Sequence, residues 1–185
     1  MTRGGGSRDL HGVESTAEQR RVLHVGWRLP ELRVDLREGG AAEAAAAVGG
    51  MAWTANVADI AGMEAVAAEV AAHFGALQIL VNNAGILRDK TFHKMSLDEF
   101  RLVIDVHLMG SFYCTKAVWE IMREQKYGRV LFTSSSTGLY GNFGQSNYGA
   151  AKMAMVGLMN TLHLEGDKYN IRVNCLAPAA GTAMT

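Results

Sequence analysis

An α/β fold built on a doubly wound parallel sheet is what this sequence predicts, and three observations carry it. Short apolar runs at residues 77–81, 129–133 and 171–176 are separated by long stretches of helical period. Each run is followed at once by a small, polar or glycine-containing turn: Asn82-Asn83-Ala84-Gly85, Ser134-Ser135-Ser136 and Ala177-Pro178-Ala179-Ala180-Gly181-Thr182. The chain has 185 residues, 49% hydrophobic and 19% charged, which is enough for one substantial core. Strands alternating with helices of this length imply βαβ units, helices on both faces, and ligands at the carboxyl ends of the strands.

Residues 1–37 read as an irregular or divergent N-terminal segment, and residues 38–185 as the domain. Residues 1–21 mix glycines and charges without a sustained apolar period. Val22, Leu23 and Val25 offer a brief strand that Gly26 ends, and the alternation over 32–36 makes a better one. An alanine-dense helix follows over 41–48, stopped by Gly49-Gly50. Residues 51–57 read as a strand. Asp59 is placed as an N-cap for a helix over 60–74, with Met63, Val66, Ala67 and Val70 on its inner face and Gly75 as its stop. The run at 77–81 has the look of a strand buried on both faces. Ser96, with Glu99 three residues on, opens one long helix towards Gln125 through a capping box. A strand over 129–133, a helix from Asn147 to about Glu165 and a strand over 171–176 complete the order.

Composition narrows the function. Eighteen Lys plus Arg balance eighteen Asp plus Glu, and a net charge of zero argues against a general nucleic-acid binder. Two cysteines, Cys114 and Cys175, make no disulfide framework; they suit a reducing compartment and read as buried thiols. No apolar run reaches the roughly 18–20 residues of a membrane span. The N-terminus lacks the apolar core of a signal peptide. These features together point to the cytoplasm. His11, His24, His73, His93 and His163 show no ligand spacing, so no metal site is expected. Met153, Met155 and Met159 read as core or helix-interface packing.

Tyr148 and Lys152 lie four residues apart near the start of a helix, so both side chains share one face. A tyrosine exchanges protons with a substrate oxygen efficiently only if its pKa falls from about 10 towards neutrality, a shift worth roughly 4 kcal/mol. An exposed ammonium supplies on the order of 1 kcal/mol. A second positive charge, or a site closed to water, is therefore required. Alone, such a pair reads first as an ordinary surface pair on a helix. Ser135 changes that, because thirteen residues before Tyr148 it lets a strand end and a helix start converge.

Asn82-Asn83-Ala84-Gly85, Ser135 with Tyr148 and Lys152, and the Pro178 turn resemble the short-chain dehydrogenase/reductase family in order and spacing, from about Glu38 to Thr185. Gly85-Ile86-Leu87-Arg88-Asp89-Lys90, Gln125-Lys126-Tyr127-Gly128-Arg129 and Tyr140-Gly141-Asn142-Phe143-Gly144-Gln145 narrow the likeness. They are similar to the (3R)-hydroxyacyl-CoA dehydrogenase unit of peroxisomal multifunctional enzyme type 2 and its bacterial relatives. The resemblance implies a Rossmann-like fold and an NAD- or NADP-dependent oxidoreductase that interconverts hydroxyl and carbonyl groups on 3-hydroxyacyl thioesters. It implies that Tyr148 exchanges the proton, Ser135 binds the same oxygen, and Lys152 holds the nicotinamide ribose and lowers the tyrosine pKa. Asn83, Ala84 and Gly85 would then lie beside the adenosine half, Asn56 and Val57 at the adenine, and Pro178 and Thr182 towards the carboxamide end. His107 stands where many members place a relay asparagine. A homo-oligomer pairing through the two long helices is also implied.

The sequence departs from that family at both ends. The family opens with an apolar strand and the turn Thr-Gly-x-x-x-Gly-x-Gly, which seats the pyrophosphate. Gly4-Gly5-Gly6 has no strand before it and does not supply that turn. Asp35 is a weaker stand-in for the acidic residue that reads the adenosine ribose. Loss of two or three phosphate hydrogen bonds is worth roughly 3–9 kcal/mol of cofactor affinity. The first strand would lie mid-sheet, so its absence would leave neighbouring strands unpaired. The chain also stops where the family continues into a substrate-covering lobe. The alternative to an active oxidoreductase is therefore a catalytically impaired fragment or pairing partner of the same family.

Overall fold

The computed structural model describes residues 50–178 throughout, two strands before them, and residues 41, 42, 45 and 46. The strands are β1 (Leu23–Val25), β2 (Leu32–Asp35), β3 (Met51–Thr54), β4 (Ile79–Asn82), β5 (Gly128–Thr133) and β6 (Ile171–Leu176). They form one sheet in the order β3-β2-β1-β4-β5-β6, the order of a doubly wound α/β fold.

β1 departs from the all-parallel sheet. It occupies the central slot but runs antiparallel to both neighbours, with Leu23 opposite Val34 of β2 and His24 opposite Val81 of β4. The other five strands share one direction, because β2–β3, β4–β5 and β5–β6 are parallel pairs. The reason is connection length. Only residues 26–31 separate β1 from β2, and a parallel crossover needs roughly a dozen residues or more. The slot expected to be vacant is thus filled, by a reversed strand.

The long connections from β3 to β4, β4 to β5 and β5 to β6 all step along the sheet the same way, so right-handed crossovers place their helices on one face. Those helices are α1 (Ile60–Phe74), α2 (Leu97–Ile104), α3 (Gly110–Glu124) and α5 (Ser146–Gly166). The core lies beneath them. Met63, Val66 and Val70 of α1 meet Cys114, Val118 and Met122 of α3 over Leu80, Val130, Phe132, Ile171 and Val173 of the strands. β2 to β3 steps the other way, which assigns the opposite face to helical residues 41, 42, 45 and 46; Ala41 and Ala45 are buried.

This asymmetry corrects one expectation. β4 is not sealed on both faces: Leu80 and Asn82 are buried, whereas Ile79 and Val81 are half-buried. On β6, exposed Arg172 and Asn174 alternate with buried Ile171 and Val173.

Local signals set several boundaries. The Asp59 side chain accepts from Ala61 N–H to open α1, and Gly75 closes it at φ 74°, a conformation open to glycine at no steric penalty. Ser96 and Glu99 form the capping box at the start of α2. The single long helix, however, is interrupted. Asp105–Met109 forms a wider π turn between α2 and α3, marked by Gly110 N–H bonding to Asp105 O. A short helix, α4 (Ser136–Tyr140), also follows β5 where the sequence suggested only a turn.

Candidate active site

Three turns meet at the carboxyl edge of β4–β6. Ser134 N–H donates to Leu176 O at 2.8 Å, tying the turn after β5 to the end of β6. Ser135 caps α4, its hydroxyl oxygen accepting from Thr137 N–H at 3.2 Å. α4 then packs on α5 so closely that a Cβ at Gly138 would lie 2.8 Å from Lys152 Cβ. The segment after β5 and the first turns of α5 thus lie against each other at Gly138 and Lys152.

Lys152 is buried, 3% exposed, not the exposed ammonium expected of a lysine one turn after a tyrosine. Its Nζ donates to Thr133 O, the last residue of β5. Its own carbonyl accepts from Ser134 Oγ at 2.8 Å. Nζ stands 5.4 Å from the centre of the half-buried Tyr148 ring, so the two share a helix face one turn apart. Burial strengthens the charge. At about this separation an ammonium and a phenolate attract by roughly 3 kcal/mol at an effective dielectric near 20, against less than about 1 kcal/mol in bulk water.

His107 also meets the Tyr148 ring. It is buried on the π turn, and the two rings sit edge to face, centroids 5.1 Å apart. Its Nε2 lies 3.0 Å from Ile86 N and 2.7 Å from Ile86 O, so either tautomer finds a partner on the Ile86 backbone. Gly85 is required there: a Cβ on it would fall 2.3 Å from His107 Cε1. Asn83, Ala84 and Gly85 are half-buried beside this contact.

The remaining candidates are more scattered. Exposed Asn56 makes a local turn, its Oδ1 accepting from Ala58 N–H at 3.0 Å. Val57 packs where a Cβ on Gly110 would come within 2.8 Å of its Cγ2, so the turn after β3 rests on the start of α3. Asp35 ends β2 opposite Thr54, at the same edge of the sheet. Pro178 is exposed just beyond β6. Thr182 lies outside the described residues.

Sequence reasoning missed the supports of Tyr148. Fully buried Asn147 donates through Nδ2 to Arg88 O at 2.9 Å and accepts from Tyr148 N–H at 2.7 Å. Gln145 Oε1 accepts from Thr137 Oγ1 and from Asn142 Nδ2, both at 3.0 Å, while its Nε2 donates to Asp89 at 2.7 Å. Lys90 N–H donates to Gly144 O at 2.8 Å. The signal available was the polar run Gln145-Ser146-Asn147 at the mouth of a helix whose interior is apolar.

Among the other residues singled out, Cys114 is buried and desolvation pushes its thiol up to about 12. Cys175 is only half-buried, again with its thiol raised by burial. Met155 and Met159 belong to the core or its margin, but Met153 is half-exposed on α5. Among the described residues, no helix is long and apolar enough to cross a membrane.

The chain is similar to a short-chain type dehydrogenase/reductase of Mycobacterium tuberculosis, 59% identical over 112 residues, which are 60% of this chain and 39% of that protein. It is 54% identical over 112 residues to peroxisomal multifunctional enzyme type 2 of Mus musculus, again 60% of this chain but 15% of that one. Acetoacetyl-CoA reductase of an Acinetobacter species is 48% identical over 115 residues, covering 62% and 44%. The chain therefore spans less than half the length of these relatives. A family model described as short chain dehydrogenase matches residues 22–185, and the chain belongs to that family.

Proposed function

We propose that the chain carries the catalytic centre of an oxidoreductase that interconverts a hydroxyl and a carbonyl on 3-hydroxyacyl thioesters with NAD or NADP. The observation that carries this reading is the buried Lys152 ammonium, held by Thr133 O and facing the Tyr148 ring beside the Ser135 turn. The relatives named as a peroxisomal multifunctional enzyme and an acetoacetyl-CoA reductase support the thioester class.

In this reading Tyr148 gives its phenolic proton to the substrate oxygen as a carbonyl becomes a hydroxyl, and takes it back in the reverse direction. Lys152 stabilises the phenolate left behind, in a site dry enough for its charge to act. The Ser135 oxygen accepts from Thr137 N–H, which leaves its O–H as the group that would donate to the substrate oxygen. His107 fixes the Tyr148 ring from its edge. When bound, a nicotinamide would supply or accept hydride at the substrate carbon. Lys152 and the turn Asn83, Ala84 and Gly85 suit its ribose and adenosine side, with Asn56, Val57, Pro178 and Thr182 as further candidates.

The phosphate side fits less well, and it supports a second reading. Because β1 runs antiparallel to β4, its Val25 end lies at the edge of the sheet opposite to Asn83 and Ser135. A chain with an intact catalytic lattice but weak dinucleotide binding is the alternative. Titration with NADH and NADPH, followed by turnover with a 3-oxoacyl thioester, separates the two. Saturable binding with loss of reduced nicotinamide supports the enzyme; binding absent at millimolar cofactor supports the impaired form.

Pairing of two copies through α3 and α5 is part of the same reading. Phe112 on α3 and Met153 and Leu164 on α5 leave apolar surface exposed. Sedimentation equilibrium tests it, and a monomer at micromolar concentration rejects it.

A further inference from the structure

The π turn raises a question that the catalytic trio does not answer, namely what holds His107 in place. A wide turn in a helix shifts the following carbonyls out of their regular register, and such turns recur at functional sites. Here Ser111 Oγ donates to the His107 carbonyl at 2.6 Å, and Ser111 is itself buried. One turn further on, Thr115 Oγ1 donates to Ser111 O at 2.7 Å. Thr115 Oγ1 in turn accepts from Asn82 Nδ2 at 3.0 Å. All four side chains are at most 5% exposed.

The path is a closed one. It leaves the last residue of β4 at Asn82, crosses to α3 through Thr115, and climbs by Ser111 to His107. It returns from His107 Nε2 to the Ile86 peptide. The turn Asn83, Ala84 and Gly85 is what it encloses, and the close approach of Gly85 to His107 leaves no slack for the ring to shift. Hydroxyls that bond back to a carbonyl four residues earlier locally reshape a helix.

Resting on the oxidoreductase reading above, we propose that Ser111 is a positioning residue, whose hydroxyl sets the π turn so that His107 is aimed at Ile86 and Tyr148. It touches neither substrate nor cofactor. It acts through the His107 carbonyl, and through that ring on the turn after β4 and on the phenol.

The test compares Ser111→Ala with Val118→Ala, which opens a core cavity two turns along the same helix without touching a polar group. The His107 imidazole is followed by nitrogen-15 NMR in the full chain, alongside kcat and KM for a 3-oxoacyl thioester. Ser111→Ala is expected to move or broaden the His107 ring signals and to lower kcat about tenfold with KM little changed. Val118→Ala is expected to lower stability at least as much while leaving the ring signals and kcat near their original values. Unmoved His107 signals in folded Ser111→Ala, or equal movement in both variants, overturn the proposal. Because the NMR arm needs no turnover, an inactive parent chain would count against the oxidoreductase reading alone.

Discussion

From Gly128 beside Ile171 to Thr133 beside Leu176, β5 and β6 pair without a break, and β4 pairs with β5 from Ile79 to Asn82. Across the centre of the sheet the pairing of β1 with β4 is a single match, His24 with Val81, in the opposite sense. The half from β4 to β6 is made of full crossovers, each with a helix long enough to return the chain and bury Leu80, Phe132 or Val173. The half from β1 to β3 opens with a link too short to return. What separates them is connection length, and it bears on the proposed function. Ser135, Tyr148, Lys152 and His107 stand on the half built by crossovers, whereas the reversed strand occupies the place from which a phosphate turn would project.

The strongest way to break this comparison is to remove the phenol. Tyr148→Phe is expected to lower turnover by about 10²–10⁴-fold with far-ultraviolet circular dichroism unchanged; undiminished turnover would move the chemistry away from β4–β6. Native-state hydrogen exchange sharpens it next. Amides of β5 are expected to exchange only on global unfolding, and those of β1 through local opening, at least about a hundredfold faster. Equal protection would mean that the reversed strand is as well anchored as its neighbours.

Gly85→Ala probes the tightest point of the site. Its Cβ would meet His107 Cε1, and overpacking of that kind costs about 1–3 kcal/mol. Urea denaturation should show that loss, with a fall in kcat as the ring is displaced; an unchanged midpoint would show that the contact yields freely. The smallest effect concerns the α2 cap. The hydrogen bond from Lys90, helped by Ser96, holds the Glu99 carboxyl down at about 2 from its usual 4.5. A depressed carboxyl contributes stability above its unfolded pKa and loses it as pH falls through the folded value. Melting of the parent chain relative to Glu99→Gln should therefore converge between about pH 4.5 and pH 2. A constant difference over that window would remove Glu99 from the cap.

Much of the fold was legible because its signals are local. The inward face of α1, Met63, Val66, Ala67 and Val70, follows from period alone, and the Ser96 capping box and the Gly75 stop follow from residue type. The candidate residues Ser135, Tyr148 and Lys152 are proposed from their spacing, which carries no information on the burial of Lys152. A lysine one turn after a tyrosine reads as solvated until Gly138 brings α4 down upon it. The π turn was equally hidden. Nothing in Asp105-Val106-His107-Leu108-Met109 breaks helical period, and the turn shows only where Ser111, Ile86 and Tyr148 surround it.

By itself the sequence determined where strands and helices begin, which residues carry a hydroxyl, a phenol and an amine, and the family to which they belong, because period, capping and spacing act over a few neighbours. Only the tertiary structure decided that β1 runs backwards, that three crossovers load one face of the sheet, and that the Lys152 charge is buried. Those outcomes depend on how long each connection is and on what packs across it, and such long-range terms have no signature in any short stretch of residues.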